Sequence, residues 1–372
     1  MDAPAPSASL VTSAAFSLAF VFGAVANRVG FCTMGAVTDV VNFGDWRRMR
    51  MWMLAVAVAI AGASALHAAG LIDLAKSYYT ATRINWLSAL VGGALFGFGM
   101  TLASGCGSKT LIRIGGGNLK SLVVLLFLAV SAYMTMKGLF APWRASALDA
   151  VHVDVAALGA KASDLASVLA ALGWPPVSRG AIGGAVAGGL ALWALANRDF
   201  RSATELVFGG LVIGVIIVGG WYVTAHLGYV AEDPETLEER FLATNSGRAE
   251  SFSFTGPVAY LLELLVLWTD QSRTLTFGIA GVLGMIAGSA ASAIVMRSFR
   301  WEGFGSIEDL ANHIVGGVLM GFGGITALGC TIGQGLTGVS TLAIGSFLAL
   351  GGIIVGSVAA VKYQVWRLDA AG

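Results

Sequence analysis

The sequence predicts an all-α, polytopic membrane protein of about nine transmembrane helices with re-entrant half-helices, built as an inverted repeat. Composition is the first reason. Apolar residues make up 56% of the 372 positions and charged residues only 12%, about half the charge of a soluble domain. The second is length, because several stretches approach or exceed the ~20 apolar residues that cross a bilayer. The third is a repeat. Val91-Gly92-Gly93-Ala94-Leu95-Phe96-Gly97-Phe98-Gly99 closes on Ser104-Gly105-Cys106, and Val315-Gly316-Gly317-Val318-Leu319-Met320-Gly321-Phe322-Gly323 closes on Leu328-Gly329-Cys330. The register is ungapped, since 315 − 91 and 330 − 106 both equal 224. Matched, glycine-interrupted segments in two halves of a membrane protein point to a binding site at those breaks, which makes the chain a transporter candidate.

Membrane helices are expected near 9–27, 51–70, 86–103, 119–138, 181–197, 203–224, 274–296, 308–327 and 340–361. Met1 to Leu10 holds Asp2 and neither Lys nor Arg, so the first apolar stretch lacks the basic start of a signal peptide and reads as a mature helix. Pro257 to Trp268 is too short to span and reads as a re-entrant half-helix, tolerated at membrane depth only where it is buried in protein or lines a wet cavity. Residues 1–140 form the first repeat, 141–202 a loop with an interfacial helix over 161–172 and a linking helix, and 203–372 the second repeat.

Basic residues orient the chain. Arg47, Arg48 and Arg50, then Lys109, Arg113 and Lys120, Arg198 and Arg201, Arg297 and Arg300, and Lys362 and Arg367 share one side if the N-terminus is periplasmic and the C-terminus cytoplasmic. The acidic loop Glu232, Asp233, Glu235, Glu238 and Glu239 then lies outside, together with Lys137, Arg144, Lys161 and Arg179. In this topology the first helix runs inward and its counterpart, the sixth, outward. A second match accompanies the first. Phe31-Cys32-Thr33-Met34-Gly35 parallels Phe252-Ser253-Phe254-Thr255-Gly256, so Ser253 stands where the first half has Cys32.

The breaks carry the chemistry. Gly93/Gly97 and Gly317/Gly321 are small-residue pairs suited to close helix packing. Gly105, Gly107, Gly329, Gly333 and Gly335 lie where the apolar runs end, where glycine permits an open backbone and the next helix can aim free N–H groups at an anion. Cys32, Cys106 and Cys330 all sit at such breaks. A thiol is a weak donor with a soft sulfur, suited to a sulfur-bearing anion without adding a repelling charge. Ser104, Ser253 and Thr331 add hydroxyls, Gln334 an amide and Lys109 a cation or a snorkelling anchor. Ser104 to Thr110 is not a phosphate loop, because Ala103 and Ser108 occupy the required glycine positions. Glu263, within the short segment, is either a functional intramembrane carboxylate or a group of the outer aqueous rim.

Several classes are excluded. A net charge of +1 does not suggest nucleic acid, and three cysteines without C-x-x-C spacing argue against a disulfide framework or zinc site. His67, His152, His226 and His313 show no ligand spacing. No catalytic residue, metal or cofactor is expected.

Gly30-Phe31-Cys32 with Gly35-Ala36 and Asp39, Ser104-Gly105-Cys106, and above all Gly329-Cys330-Thr331-Ile332-Gly333-Gln334-Gly335-Leu336-Thr337-Gly338 resemble the YeeE/YedE family of bacterial inner-membrane sulfur-transport proteins. The resemblance covers nearly the whole chain apart from about 141–180. It implies a thiosulfate importer in which Cys32, Cys106 and Cys330 line an hourglass-shaped path and pass the anion by S–H···S contacts. It also implies delivery to a small cytoplasmic sulfurtransferase-type carrier. In that arrangement Cys330 is periplasmic, Cys106 nearer the cytoplasm and Cys32 at the inner exit. The alternatives are another sulfur or selenium compound, or a membrane thiol–disulfide oxidoreductase. The last requires two cysteines with Cα atoms under ~7 Å apart, whereas Cys106 and Cys330 close opposite-facing segments. Mass spectrometry after mild oxidation is therefore expected to find no Cys106–Cys330 bridge; a stoichiometric one would favour the enzyme.

Overall fold

A computed structural model describes residues 7–175, 177–233 and 237–371; Glu235 of the acidic loop lies outside them. In chain order the helices are α1 (Ala8–Val29), α2 (Thr33–Phe43), α3 (Arg47–Ala68), α4 (Trp86–Leu102), α5 (Gly107–Gly115), α6 (Leu119–Lys137), α7 (Ala141–Trp143), α8 (Leu165–Ala171), α9 (Arg179–Ala196), α10 (Arg198–Ser202), α11 (Thr204–Tyr222), α12 (Thr255–Val266), α13 (Phe277–Val295), α14 (Ile307–Thr326) and α15 (Ile344–Ala371). Two antiparallel ladders of two residues per strand complete the regular structure, Arg83–Ile84 with Val153–Asp154 and Tyr229–Val230 with Arg240–Phe241. The protein is all-α and polytopic.

Eight of the described helical segments are long and apolar enough to cross a bilayer. The expected span near 308–327 appears as α14, which is 20 residues long but opens on Glu308 and Asp309. The span expected from 340 starts instead at Ile344, because residues 331–340 form a separate helical piece with wide π turns over Gly333–Gly338. The short segment near 257–268 is the 12-residue α12. Within the 141–180 stretch, the helix expected over 161–172 is α8, capped by the Asp164 carboxylate, which accepts from the Ala166 and Ser167 amides. Arg179 closes on Asp164 at 2.6 Å. Backbone pairing of Asp164 with Ala343 lays this stretch over the start of α15.

Glycines let the long helices touch backbone to backbone. A Cβ on Gly93 would lie 2.5 Å from the Ala349 carbonyl of α15, and one on Gly97 would collide with the Ile353 carbonyl. At the equivalent positions of the other half, a Cβ on Gly317 would lie 2.9 Å from the Val124 carbonyl of α6 and one on Gly321 2.5 Å from the Leu128 carbonyl. The partner numbers rise together in both cases, so α4 and α15 run parallel, as do α14 and α6. Between α4 and α14 the order reverses. Gly92 faces Gly323, and Gly99 faces Gly316. Since 92 + 224 = 316 and 99 + 224 = 323, these reciprocal contacts relate the two glycine-ridged helices by a local two-fold.

The same exchange relates the outer pairs. Gly284 and Gly288 of α13 pack on Phe16 and Phe20 of α1, while Gly210 and Gly214 of α11 pack on Met51, Ala55 and Val58 of α3. Apolar surface against lipid tails gains nothing from burial between helices, so this close van der Waals fit is what holds the bundle together. Gly97→Leu is expected to lower the melting temperature in detergent, overpacking costing about 1–3 kcal/mol or more. Gly184→Leu, where an added Cβ meets nothing within 4 Å, leaves it nearly unchanged.

Candidate functional site

Each of the three cysteines is the N-cap of a short helix. Cys32 precedes α2 in extended conformation (φ −161°, ψ 123°) and its sulfur accepts from the Gly35 amide at 3.4 Å. Cys330 repeats this with the Gly333 amide at 3.4 Å. Cys106 precedes α5 (φ −74°, ψ 173°) without accepting an amide on its sulfur, which it holds 3.3 Å from the Ser108 hydroxyl instead. An N-cap needs extended backbone and a short side-chain acceptor for the N3 amide, normally Ser, Thr, Asp or Asn. Sulfur is a weaker acceptor than oxygen, so these caps give up some helix stability and place a thiol where an oxygen is the usual choice.

The capped ends meet. The Cys32 and Cys106 thiols are close enough to interact electrostatically, and the Thr331 hydroxyl lies near Cys106. The amides of Ile332 and Phe254 lie near the Cys330 sulfur. Residue 254 is the N-cap of α12, so a chain of contacts links the starts of α2, α5, the 331–340 piece and α12. Helix N-termini carry a partial positive charge of about half an elementary charge, and no Asp or Glu occupies the first turn of α2, α5 or α12. The three sulfurs are nearly or wholly buried, and all three are free thiols.

Unpartnered polar atoms mark the same place. The hydroxyls of Thr33, Thr331 and Thr255, the indole N–H of Trp52 and Oε1 of Gln334 are buried without a hydrogen-bond partner in the protein. Buried polar groups are almost always paired, so a cluster of orphans beside three N-caps is the signature of a place that receives a polar guest. Thr33, Thr255 and Thr331 are each the first residue after a cap. Trp52 of α3 reaches this region, its ring packing where a Cβ on Gly335 would stand at 2.7 Å. Sequence reading missed Thr33, Thr255 and Trp52; the Cys-Thr-x-Gly pattern shared by 32–35 and 330–333 was the available signal for Thr33.

Two details of the expected site change. The residues that turn the chain left-handed at the breaks are Ser104 (φ 56°) and Leu328 (φ 60°), again 224 apart, and not Gly105 or Gly329. Non-glycine residues hold that conformation at a cost of about 1–3 kcal/mol, and such positions cluster at functional sites. Gly105 and Gly329 serve close approach instead, since a Cβ on either would sit 3.2 Å from the Cγ of Lys109 or Gln334. The second change concerns register. Counted from the helix start, the equivalent of Cys32 is Phe254, and Ser253 lies one residue earlier, where a Cβ on Gly333 would strike its hydroxyl. Phe254 has no capping atom. Its ring joins Phe22, Phe31 and Phe252, with centroids 6.1–6.5 Å from Phe22, and seals this break with apolar surface.

The remaining candidates separate by surroundings. Lys109 is half-buried beside the Cys32–Cys106 pair and has no ion-pair partner among the described residues. Gln334 donates from Nε2 to the Ala327 carbonyl, which aims its orphan oxygen inward. Glu263 is held by Lys137 at 2.9 Å and Arg273 at 3.3 Å, which accounts for its charge structurally. Among the described residues no cluster of His, Cys, Asp or Glu is suited to a metal ion. On the Cys330 side a cavity of about 220 Å³ is bounded by Ser253, Leu328 and Gly329, with Tyr78, Arg144 and Glu250 on its wall.

Comparison with known proteins identifies the family. Residues 28–359 match the family described as sulphur transport. The thiosulfate transporter TsuA of Spirochaeta thermophila is 27% identical over 335 residues, covering 89% of this chain and 92% of that protein. TsuA of Escherichia coli is 29% identical over 341 residues, covering 90% of this chain and 89% of that protein. The caps themselves can be tested apart from any activity. Cys330→Ser retains an acceptor for the Gly333 amide and is expected to melt with the parent. The near-isosteric Cys330→Val removes it and is expected to lose about 0.5–2 kcal/mol, read as a lower melting temperature.

Proposed function

The chain belongs to the sulphur transport family, and from that premise we propose that it imports a small sulfur oxyanion, thiosulfate, across the bacterial inner membrane by relay between Cys330, Cys106 and Cys32. One observation carries the reading: three buried thiols stand at the N-cap positions of three short helices, beside hydroxyls that have no partner in the protein.

Moving an ion out of water into an apolar medium costs tens of kcal/mol in the ideal limit. A dianion entering an inside-negative cell meets a further ~4.6 kcal/mol per 100 mV, from ~2.3 per charge. Helix-end amides replace part of the hydration shell without a counter-ion that would trap the anion. Thr33, Thr331 and Ser108 offer O–H donors, and Lys109 supplies a cation near the Cys32–Cys106 pair. Thiols contribute S–H donors to oxygen or sulfur and present no charge. The relatives' assignment as thiosulfate transporters favours that anion over sulfate, as does the use of sulfur where oxygen caps a helix better.

In this proposal residues 1–140 and 203–372 are the two oppositely directed repeats, joined through 141–202. The Cys330 side faces the periplasm, Cys106 lies nearer the cytoplasm, and Cys32 stands at the exit, so passage between the last two neighbouring thiols is the final hand-off. Ser253, Gly329 and Gln334 line the outer approach, and Ser104, Gly105 and Lys109 the inner one. Release to a small cytoplasmic sulfurtransferase-type carrier would keep the inner concentration low. No covalent step, cofactor or metal is involved.

Serine variants separate sulfur chemistry from helix capping. In a host that depends on this protein for thiosulfate uptake, Cys32→Ser, Cys106→Ser and Cys330→Ser are each expected to reduce uptake at least about tenfold, equivalent to ~1.4 kcal/mol, while the protein remains folded at wild-type abundance. Undiminished uptake by the Cys106 and Cys330 variants would overturn the relay.

A further inference from the structure

We propose that Glu250 is a proton-binding group of the cavity on the Cys330 side, and that it takes up one proton when the anion enters. The inference rests on the transport reading and adds a coupled proton to it.

Glu250 lies in the loop between α11 and α12, outside the spanning helices, and its backbone is pinned by mutual hydrogen bonds with the Thr224 hydroxyl. The neighbouring Ser251 hydroxyl donates to the Ile217 carbonyl at 2.8 Å. The carboxylate is therefore held on the cavity wall by the end of a long helix. It is about nine-tenths buried. Its contacts are neutral donors, the Ser246 hydroxyl at 2.7 Å and the amides of Asn245 and Ser246.

No charge in reach compensates it. From the loop before α4 the cavity receives Tyr78, whose hydroxyl is engaged with Tyr79 at 2.5 Å. Lys76 of that loop is taken by Glu239 and Tyr229. From the segment after α6 comes Arg144, paired with Asp149 at 3.3 Å. From α12 comes Tyr260, uncharged at neutral pH. On Glu250's own loop, Arg248 acts on Glu239. Among the described residues, no ion pair includes Glu250.

Burial without a counter-ion pushes the Glu250 carboxyl up from 4.5 to about 7. The group is thus half-protonated near neutral pH, before any anion arrives. An incoming anion shares the cavity with it and favours its neutral form, because like charges in one site disfavour joint ionisation. By linkage, protonation then favours the anion to the same degree. The sign follows: a carboxyl that must be protonated to admit the guest gives tight binding below its own pKa and weaker binding above it. A dianion entering with one proton also carries half the charge across the outer part of the field.

The test is thiosulfate binding to the purified full-length protein at pH 6 and pH 8, by calorimetry in two buffers of different ionisation enthalpy. With the competent fraction near nine-tenths at pH 6 and one-tenth at pH 8, the apparent Kd is expected to rise about tenfold. The buffer dependence at pH 8 should report the uptake of close to one proton. Glu250→Gln, which mimics the protonated form, is expected to bind at both pH values as the parent does at pH 6. Wild-type affinity that ignores pH, zero net proton uptake at pH 8, or a pH slope that persists in Glu250→Gln overturns the proposal while leaving the transport reading intact. Absence of thiosulfate binding by the parent at both pH values overturns both.

Discussion

A sulfur atom accepting the amide at the third position of a short helix is the contact on which the centre of this protein depends. It occurs at Cys32 and Cys330 with the same 3.4 Å geometry, whereas the Cys106 sulfur, at the same cap position, meets the Ser108 hydroxyl instead. Each such cap ties a broken membrane helix to the next short one. It also keeps the thiol at the mouth of the helix dipole rather than against lipid. Structural and chemical roles fall on one atom, since the group that starts the helix also faces whatever passes its positive end.

That geometry requires helices to break within apolar segments, and lipid does not tolerate exposed backbone. Backbone freed at a break must be buried in protein, and here the burial comes from α3, α4, α14 and α15 packed at backbone distance. Gly92 against Gly323 and Gly99 against Gly316 bring the two ridged helices together at their crossing. Gly93, Gly97, Gly317 and Gly321 then admit α15 and α6 on the outer flanks. The left-handed turns at Ser104 and Leu328 are sustained by this surrounding structure. The result is a rigid frame around a small polar interior whose hydroxyls and indole N–H lack internal partners.

The periplasmic proposal for the Cys330 side gives the outer loops a purpose beyond connection. The 141–180 stretch supplies Arg144 to the cavity wall and Asp164 to the start of α15. The loop between α11 and α12 supplies Glu250. One cation is already paired and one carboxylate is unpaired, so the cavity attracts an anion only weakly unless the carboxylate is neutral. Loops carried on a rigid scaffold are where such adjustable groups belong.

Much of this was legible in the residues. Apolar length placed the long helices, eight segments of the described residues being apolar enough to span, and the 224-residue offset identified the two breaks and Cys106 with Cys330, because repeated helices bury repeated small residues. Cys32 was found by a weaker match, and there the pairing of Ser253 with Cys32 proved one residue out of register, since only the helix start shows that Phe254 occupies the cap. Thr33, Thr255 and Trp52 passed unnoticed: a threonine or tryptophan in an apolar chain becomes informative only when its polar atom is seen buried and unpaired. The linear chain therefore determined the class, the helices and the sulfurs, all set by local hydropathy and spacing. Only the tertiary structure decided that the Cys32 and Cys106 thiols are neighbours, which break residues are conformational and which steric, and that Glu250 lacks a counter-ion, because each depends on groups distant in sequence arriving close together.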